Sequence, residues 1–98
     1  MEADAALSVD LPAGFNLAQN YPNPFNPMTT ISFSLPSAGD YELRIYNAVG
    51  QTVSTFIGRA DAGVSTLTWD AREFSSGVYF YRLQTSEFAE TKKMILLK

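Results

Sequence analysis

Four acids in the body of the chain, Asp40, Asp61, Asp70 and Glu73, are the side chains on which catalysis or metal binding could most plausibly be built. The sequence holds no cysteine and no histidine. That removes thiolate chemistry, His-ligated metals and any Ser-His triad. A calcium loop needs oxygen ligands at alternating positions, and none of the four acids stands in such a run. Asp40 and Asp61 read instead as turn residues, because an aspartate side chain closes turns onto its own backbone. Gly50 and Gly77 are isolated turn glycines rather than a phosphate cradle. Tyr46 and Phe80 could stack on sugar rings from an outer sheet face, or stand as ordinary exposed apolar surface. The sequence therefore predicts no catalytic residue, no cofactor and no metal.

The elements that would position such groups read as strands. The segment around which they are arranged is Asn20-Tyr21-Pro22-Asn23-Pro24-Phe25-Asn26-Pro27. Its three prolines fix φ and remove three donors, so no helix can form there. Tyr21, Asn23 and Asn26 precede prolines and are held toward extended geometry, and Tyr21 and Phe25 are expected to fold down onto a core. Phe15, Leu17 and Tyr21 suggest a short edge strand before the prolines. Thr30–Leu35 alternates strictly and puts Ile31, Phe33 and Leu35 on one face. After a turn at Ser37–Asp40, Tyr41–Asn47 alternates again with Leu43 and Ile45 inward. Asn47-Ala48-Val49-Gly50 reverses the chain, and Gln51–Ile57 returns with Val53 as its core residue. Gly58–Gly63 reads as a loop. Val64–Asp70 is rich in β-branched residues, with Leu67 and Trp69 on one face. A turn over Arg72–Gly77 leads to Val78–Leu83, where Tyr79, Tyr81 and Leu83 face in and Phe80 and Arg82 face out, since an unpaired arginine is costly to bury. The two inward tyrosines need partners for their hydroxyls, for which loop backbone is available. Thr85–Glu90 turns the chain into a closing strand, Thr91–Lys98, whose continuous apolar run leaves its phase ambiguous. No stretch keeps a period of 3.6 over three turns, and no internal repeat appears. Six to seven mostly antiparallel strands at this spacing predict an all-β, immunoglobulin-like β-sandwich.

Composition bounds the rest. Ninety-eight residues, 46% hydrophobic and 17% charged, suit one folded domain with a single core. The net charge is −3, and Glu2, Asp4 and Asp10 supply it. Residues 15–98 then carry seven acids against seven bases, without the basic excess that nucleic acid requires. Residues 1–14, small and acidic and ending in Leu11-Pro12-Ala13-Gly14, read as a flexible linker from an upstream domain, with residues 15–98 as the sandwich. The start has neither a basic region nor an apolar one, so no signal peptide is expected there. No apolar run approaches the roughly 20 residues of a membrane-spanning helix. Absence of cysteine does not assign a compartment.

Four stretches taken in order carry a resemblance. They are Asn20–Pro27 followed by Thr30-Ile31-Ser32-Phe33; Ile45-Tyr46-Asn47-Ala48-Val49-Gly50-Gln51; Gly63 through Trp69-Asp70; and Ser76-Gly77-Val78-Tyr79 with Lys92-Lys93-Met94-Ile95-Leu96-Leu97-Lys98. Together, over about residues 15–98, they resemble the type A C-terminal sorting domain of the type IX secretion system of Bacteroidota and their relatives. An immunoglobulin-like domain of flagellar hook-capping proteins shares some of this strand grammar. The sorting-domain resemblance implies a non-catalytic signal, shaped as a folded monomeric domain and fused to a secreted cargo. It implies passage through the periplasm and across the outer membrane by the translocon. Cleavage by a surface sortase, with the cut in or beside residues 1–14, and attachment of the cargo to an anionic lipopolysaccharide would follow. On the matching stretches it makes Asn23, Pro24, Phe25, Gly50, Gly77, Lys92, Lys93 and Lys98 the candidate recognition residues. A different class of function also fits a small β-sandwich: a carbohydrate-binding or adhesive module accessory to a secreted enzyme, using Tyr46 and Phe80.

Overall fold

Alternation of apolar and polar residues builds seven strands, and the computed structural model describes residues 14–98 of the chain. They are β1 (Asn16–Leu17), β2 (Met28–Leu35), β3 (Gly39–Tyr46), β4 (Thr52–Ala60), β5 (Gly63–Asp70), β6 (Gly77–Gln84) and β7 (Ala89–Leu96). The described residues form no helix, so none is long and apolar enough to cross a membrane. The linker expected over residues 1–14 falls, apart from Gly14, outside the described residues.

The strands form two antiparallel sheets. One has the order β1-β2-β5 and the other β4-β3-β6-β7. The fourth strand lies beside β3 in the larger sheet, not beside β5, and the whole is the expected all-β sandwich. Each strand contributes one face to the core: Ile31, Phe33 and Leu35 from β2, Leu43 and Ile45 from β3, Tyr79, Tyr81 and Leu83 from β6, Met94 and Leu96 from β7. Pairing with β6 settles the phase of the last strand. Met94 lies opposite inward Tyr79, while Ile95 lies opposite outward Val78. Trp69 is buried as the sole indole of the core and donates its Nε1–H to Ser54 Oγ of the facing sheet at 3.0 Å.

Several boundaries differ from the sequence reading. Gly58 lies inside β4, which runs on to Ala60, so the Gly58–Gly63 loop shrinks to Asp61 and Ala62. The glycine is there for space: a Cβ at Gly58 would stand 3.1 Å from the Tyr41 hydroxyl of the neighbouring strand. A strand glycine beside a large ring is a packing feature rather than a stop. Val53 is only half-buried, and Ala60 is the buried residue of β4. β3 begins at Gly39, so Asp40 is a strand residue, opposite Arg59, rather than a turn residue. β7 begins at Ala89, which shortens the preceding turn; there Thr85 N–H donates to the Phe88 carbonyl at 2.8 Å. Tyr21 does not fold onto the core. Its backbone bridges Thr30 while its ring is 80% exposed. Phe25 is the anchor of that segment, 2% exposed and tilted against Trp69 with ring centroids 5.9 Å apart.

Candidate functional site

The open side of β7 is where the proline-rich segment meets the last residues of the sequence. β7 is an edge strand, and the outward N–H and C=O groups of an edge require partners or they recruit another chain. Here the proline-rich segment supplies them. Phe25 N–H donates to the Ile95 carbonyl at 3.0 Å, and Leu97 N–H donates to the Phe25 carbonyl at 2.9 Å, a parallel bridge between Phe25 and Leu96. Ile95 N–H donates to Asn23 Oδ1 at 3.0 Å. One step up the strand, Gln19 Nε2 donates to the Lys93 carbonyl at 2.8 Å. Proline suits this job because it has no N–H of its own to leave unpaired. The Xaa-Pro bonds at Pro22, Pro24 and Pro27 are cis.

A buried polar knot holds the segment in place. Asn20, 3% exposed, donates through Nδ2 to Thr29 Oγ1 at 2.9 Å and to the Pro22 carbonyl at 3.1 Å. Thr29 Oγ1 donates to the same carbonyl at 2.9 Å. The Tyr81 hydroxyl accepts from Asn20 N–H at 2.8 Å and donates to the Ala18 carbonyl at 2.7 Å. Its phenol pKa is pushed up to about 12, chiefly by burial, which outweighs the Asn20 hydrogen bond. With Gln19 Nε2 donating to Asn20 Oδ1 at 2.7 Å, every side-chain polar atom of Asn20, Thr29 and Tyr81 has a partner, the condition under which buried polar groups specify structure rather than weaken it.

The same end of the sandwich carries the loop between β5 and β6. Ala71 N–H donates to the Pro27 carbonyl at 2.9 Å, and Phe74 packs on Trp69 and Tyr79. The Tyr79 hydroxyl donates to the Ser75 carbonyl at 2.7 Å. Arg72 holds the Asp70 carboxylate at 2.6 Å, and its hydrogen bonds pull that carboxyl below its ordinary pKa. Lys98 docks on this loop: its N–H donates to Ser76 Oγ at 3.0 Å and its Nζ donates to the Arg72 carbonyl. Across a cleft of about 420 Å³ stands the β3–β4 turn, where Asn47 Oδ1 accepts from the N–H groups of Val49 and Gln51 and Gly50 takes φ +91°.

Asn23, Pro24, Phe25, Gly77 and Lys98 are therefore brought together, and of these Gly77 lines the cleft that the turn before Gly50 faces. Lys92 and Lys93 are not part of this group. Lys92 points to the inner side of β7 and pairs with Glu90 at 3.4 Å, while Lys93 points to the outer face opposite Phe80. Sequence reasoning did not name Gln19, Asn20, Thr29 or Ser76 as site residues, whereas the inward Tyr81 hydroxyl finds the loop backbone expected for it, the Ala18 carbonyl. An asparagine two residues before the first proline was the available signal. Among the described residues no three acids gather as metal ligands. Asp40 and Asp70 each sit in an arginine ion pair, an arrangement that neutralises carboxylates rather than readying them for acid–base work.

A family model described as the secretion system C-terminal sorting domain matches residues 19–97. No curated protein matches the chain. The matched span opens at Gln19, the first residue to bond β7, and closes at Leu97, the last residue to bond Phe25.

Proposed function

Because the chain belongs to the C-terminal sorting domains of the type IX secretion system, we propose that it acts as a non-catalytic signal whose readable surface is the end where Asn23–Phe25 closes on Ile95–Lys98. Membership of the family directs the protein that carries the domain across the outer membrane, to the cell surface or the extracellular space. It also entails engagement with the secretion machinery and fusion to a cargo.

The observation that carries the proposal is the bonding of Phe25 and Asn23 to Ile95 and Leu97. A surface assembled from Asn23–Phe25 and Ile95–Leu97 exists only once residues 95–97 have been made and the sandwich has closed. Such a signal reports completed folding as well as identity. Asn23, Pro24, Gly77 and Lys98 are exposed on it, and the turn at Gly50 lies across the adjoining cleft. In this reading the domain works as a monomer, a surface sortase cuts within or beside residues 1–14, and the released cargo is attached to the cell surface. The described chain leaves the sandwich at Gly14, beside Pro36 and thus at the end of β2 remote from Met28.

The test is export of a reporter carrying a cleavable signal peptide and this chain at its C-terminus. In a type IX-competent host the reporter should reach the surface or medium, and in a translocon-deficient strain it should stay in the periplasm. Equal distribution in the two strains would refute the proposal.

A further inference from the structure

The outer face of the four-stranded sheet carries side chains that neither the core nor the sorting surface uses. The alternation that buries Leu43, Ile45, Tyr79, Tyr81 and Leu83 turns Arg44, Tyr46, Phe80 and Arg82 outward, and Lys93 with them. Register sets Tyr46 opposite Phe80 and Phe80 opposite Lys93 in one row, with Arg44 opposite Arg82 in the next. Like charges directly opposite one another destabilise a sheet. Glu42 relieves Arg44 with a contact of 2.5 Å. Among the described residues Arg82 has only the neutral amide of Gln84, at 3.0 Å, and Lys93 makes no ion pair. Two cations without an acidic partner among the described residues thus border the half-buried ring of Phe80.

Charge is segregated to this side. Residues 15–98 carry seven bases and seven acids. Four of those bases, Arg44, Arg59, Arg82 and Lys93, face outward here against two acids, Asp40 and Glu42. A neutral domain therefore presents one positive face, set with two aromatic rings.

We propose that this face binds an acidic polysaccharide, with Tyr46 and Phe80 stacking on the apolar faces of the sugar rings and Arg44, Arg82 and Lys93 taking the acid groups. A guanidinium fork matches a carboxylate in two-point fashion, and an aromatic ring offers the flat apolar partner that a pyranose C–H face needs. A neutral glycan would leave the cation pair unexplained. Nucleic acid would call for a larger basic excess than a neutral domain provides. The activity is separate from sorting, because none of these side chains bonds Asn23–Phe25 or Lys98.

Affinity electrophoresis of the full 98-residue chain tests it, in native gels cast with polygalacturonate, dextran sulfate, neutral dextran or single-stranded DNA. Polygalacturonate or dextran sulfate should retard the protein, less so as salt screens the charges, and dextran should not; the two polyanions separate carboxylated from sulfated ligands. Arg82→Gln and Lys93→Gln should each weaken retention roughly tenfold, the factor one charge-assisted hydrogen bond commonly decides. Phe80→Ser should weaken it too, with melting curves confirming that each variant is folded. Lys92→Gln removes the same charge from the opposite face of the same strand and should leave retention unchanged. The proposal is overturned by no retardation from either polyanion, by equal retardation in dextran, by stronger retardation from DNA, or by Lys92→Gln losing as much as Lys93→Gln. Export of a reporter fused to the Arg82→Gln chain should match the parent, so failure here leaves the sorting reading standing.

Discussion

Phe25 is joined to Leu96 by a parallel bridge, with its N–H on the carbonyl before Leu96 and its carbonyl on the N–H after it. The Phe25 ring, meanwhile, sits in the core against Trp69. One residue thus ties the outer edge of β7 to the centre of the sandwich, and stability and signal become hard to separate there. Phe25→Ala should cost on the order of 3–5 kcal/mol, the usual range for emptying a buried aromatic site. Urea titration measures that loss. Hydrogen exchange should show faster exchange at the amides of Ile95 and Leu97, and export of a fused cargo should fall in parallel with stability. A stable Phe25→Ala domain that fails to export would make the ring itself a recognition element.

Trp69 makes a cleaner probe of the core. It is 4% exposed and its indole N–H is bonded to Ser54. Trp69→Ala is expected to lose about 3–5 kcal/mol, and the parent protein should emit at a wavelength well to the blue of free indole in water. Emission matching solvated indole would contradict the sandwich core.

These strands were legible because alternation is a local signal. Leu43 with Ile45, and Tyr79 with Tyr81 and Leu83, could be assigned to the core from period two alone. Phe80 and Arg82 followed from the cost of burying an arginine. Tyr21 was misplaced because it makes a single isolated bridge, to Thr30, outside any strand, so alternation does not set which way its ring turns. Gly58 misled for a similar reason: its cause is the Tyr41 ring on another strand, which local pattern cannot show. Closure of β7 by Asn23 and Phe25 was invisible too, since pairing between distant segments is set by three-dimensional register. Both ends of that contact drew attention in the sequence, as a stiff proline run and as an apolar surplus in Met94–Leu97. Their meeting had to be seen.

Tyr81 supplies a pH dependence with a fixed sign. Its phenol is raised from 10.0 to about 12 in the folded protein. A group raised on folding gives stability that is complete below its unfolded pKa and is lost as pH climbs through the folded one. Melting temperature should therefore drop between pH 10 and pH 12 more steeply in the parent than in Tyr81→Phe. At neutral pH the variant leaves Asn20 N–H and the Ala18 carbonyl without their partner and should lose about 1–3 kcal/mol. Parallel pH profiles for the two proteins would show that the phenol is not perturbed by folding.

Lys98 separates fold from signal. Its side chain is exposed and reaches the Arg72 carbonyl through Nζ, while its main-chain N–H bonds Ser76. Lys98→Ala removes the first contact and keeps the second, and an exposed hydrogen bond of this kind contributes about 1 kcal/mol or less. The melting temperature should barely move. Removing residues 91–98 is a different perturbation, because it takes Met94 and Leu96 out of the core and bares the edge of β6. That deletion should unfold or loosen the domain and abolish export together. If the translocon reads the closed end of the sandwich, Lys98→Ala cargo should accumulate in the periplasm of a type IX-competent host despite a folded domain. Surface display at the parent level would remove Lys98 from the recognition surface. Surface display of cargo on the 91–98 deletion would count against any sorting role for the closure of Phe25 on Leu96.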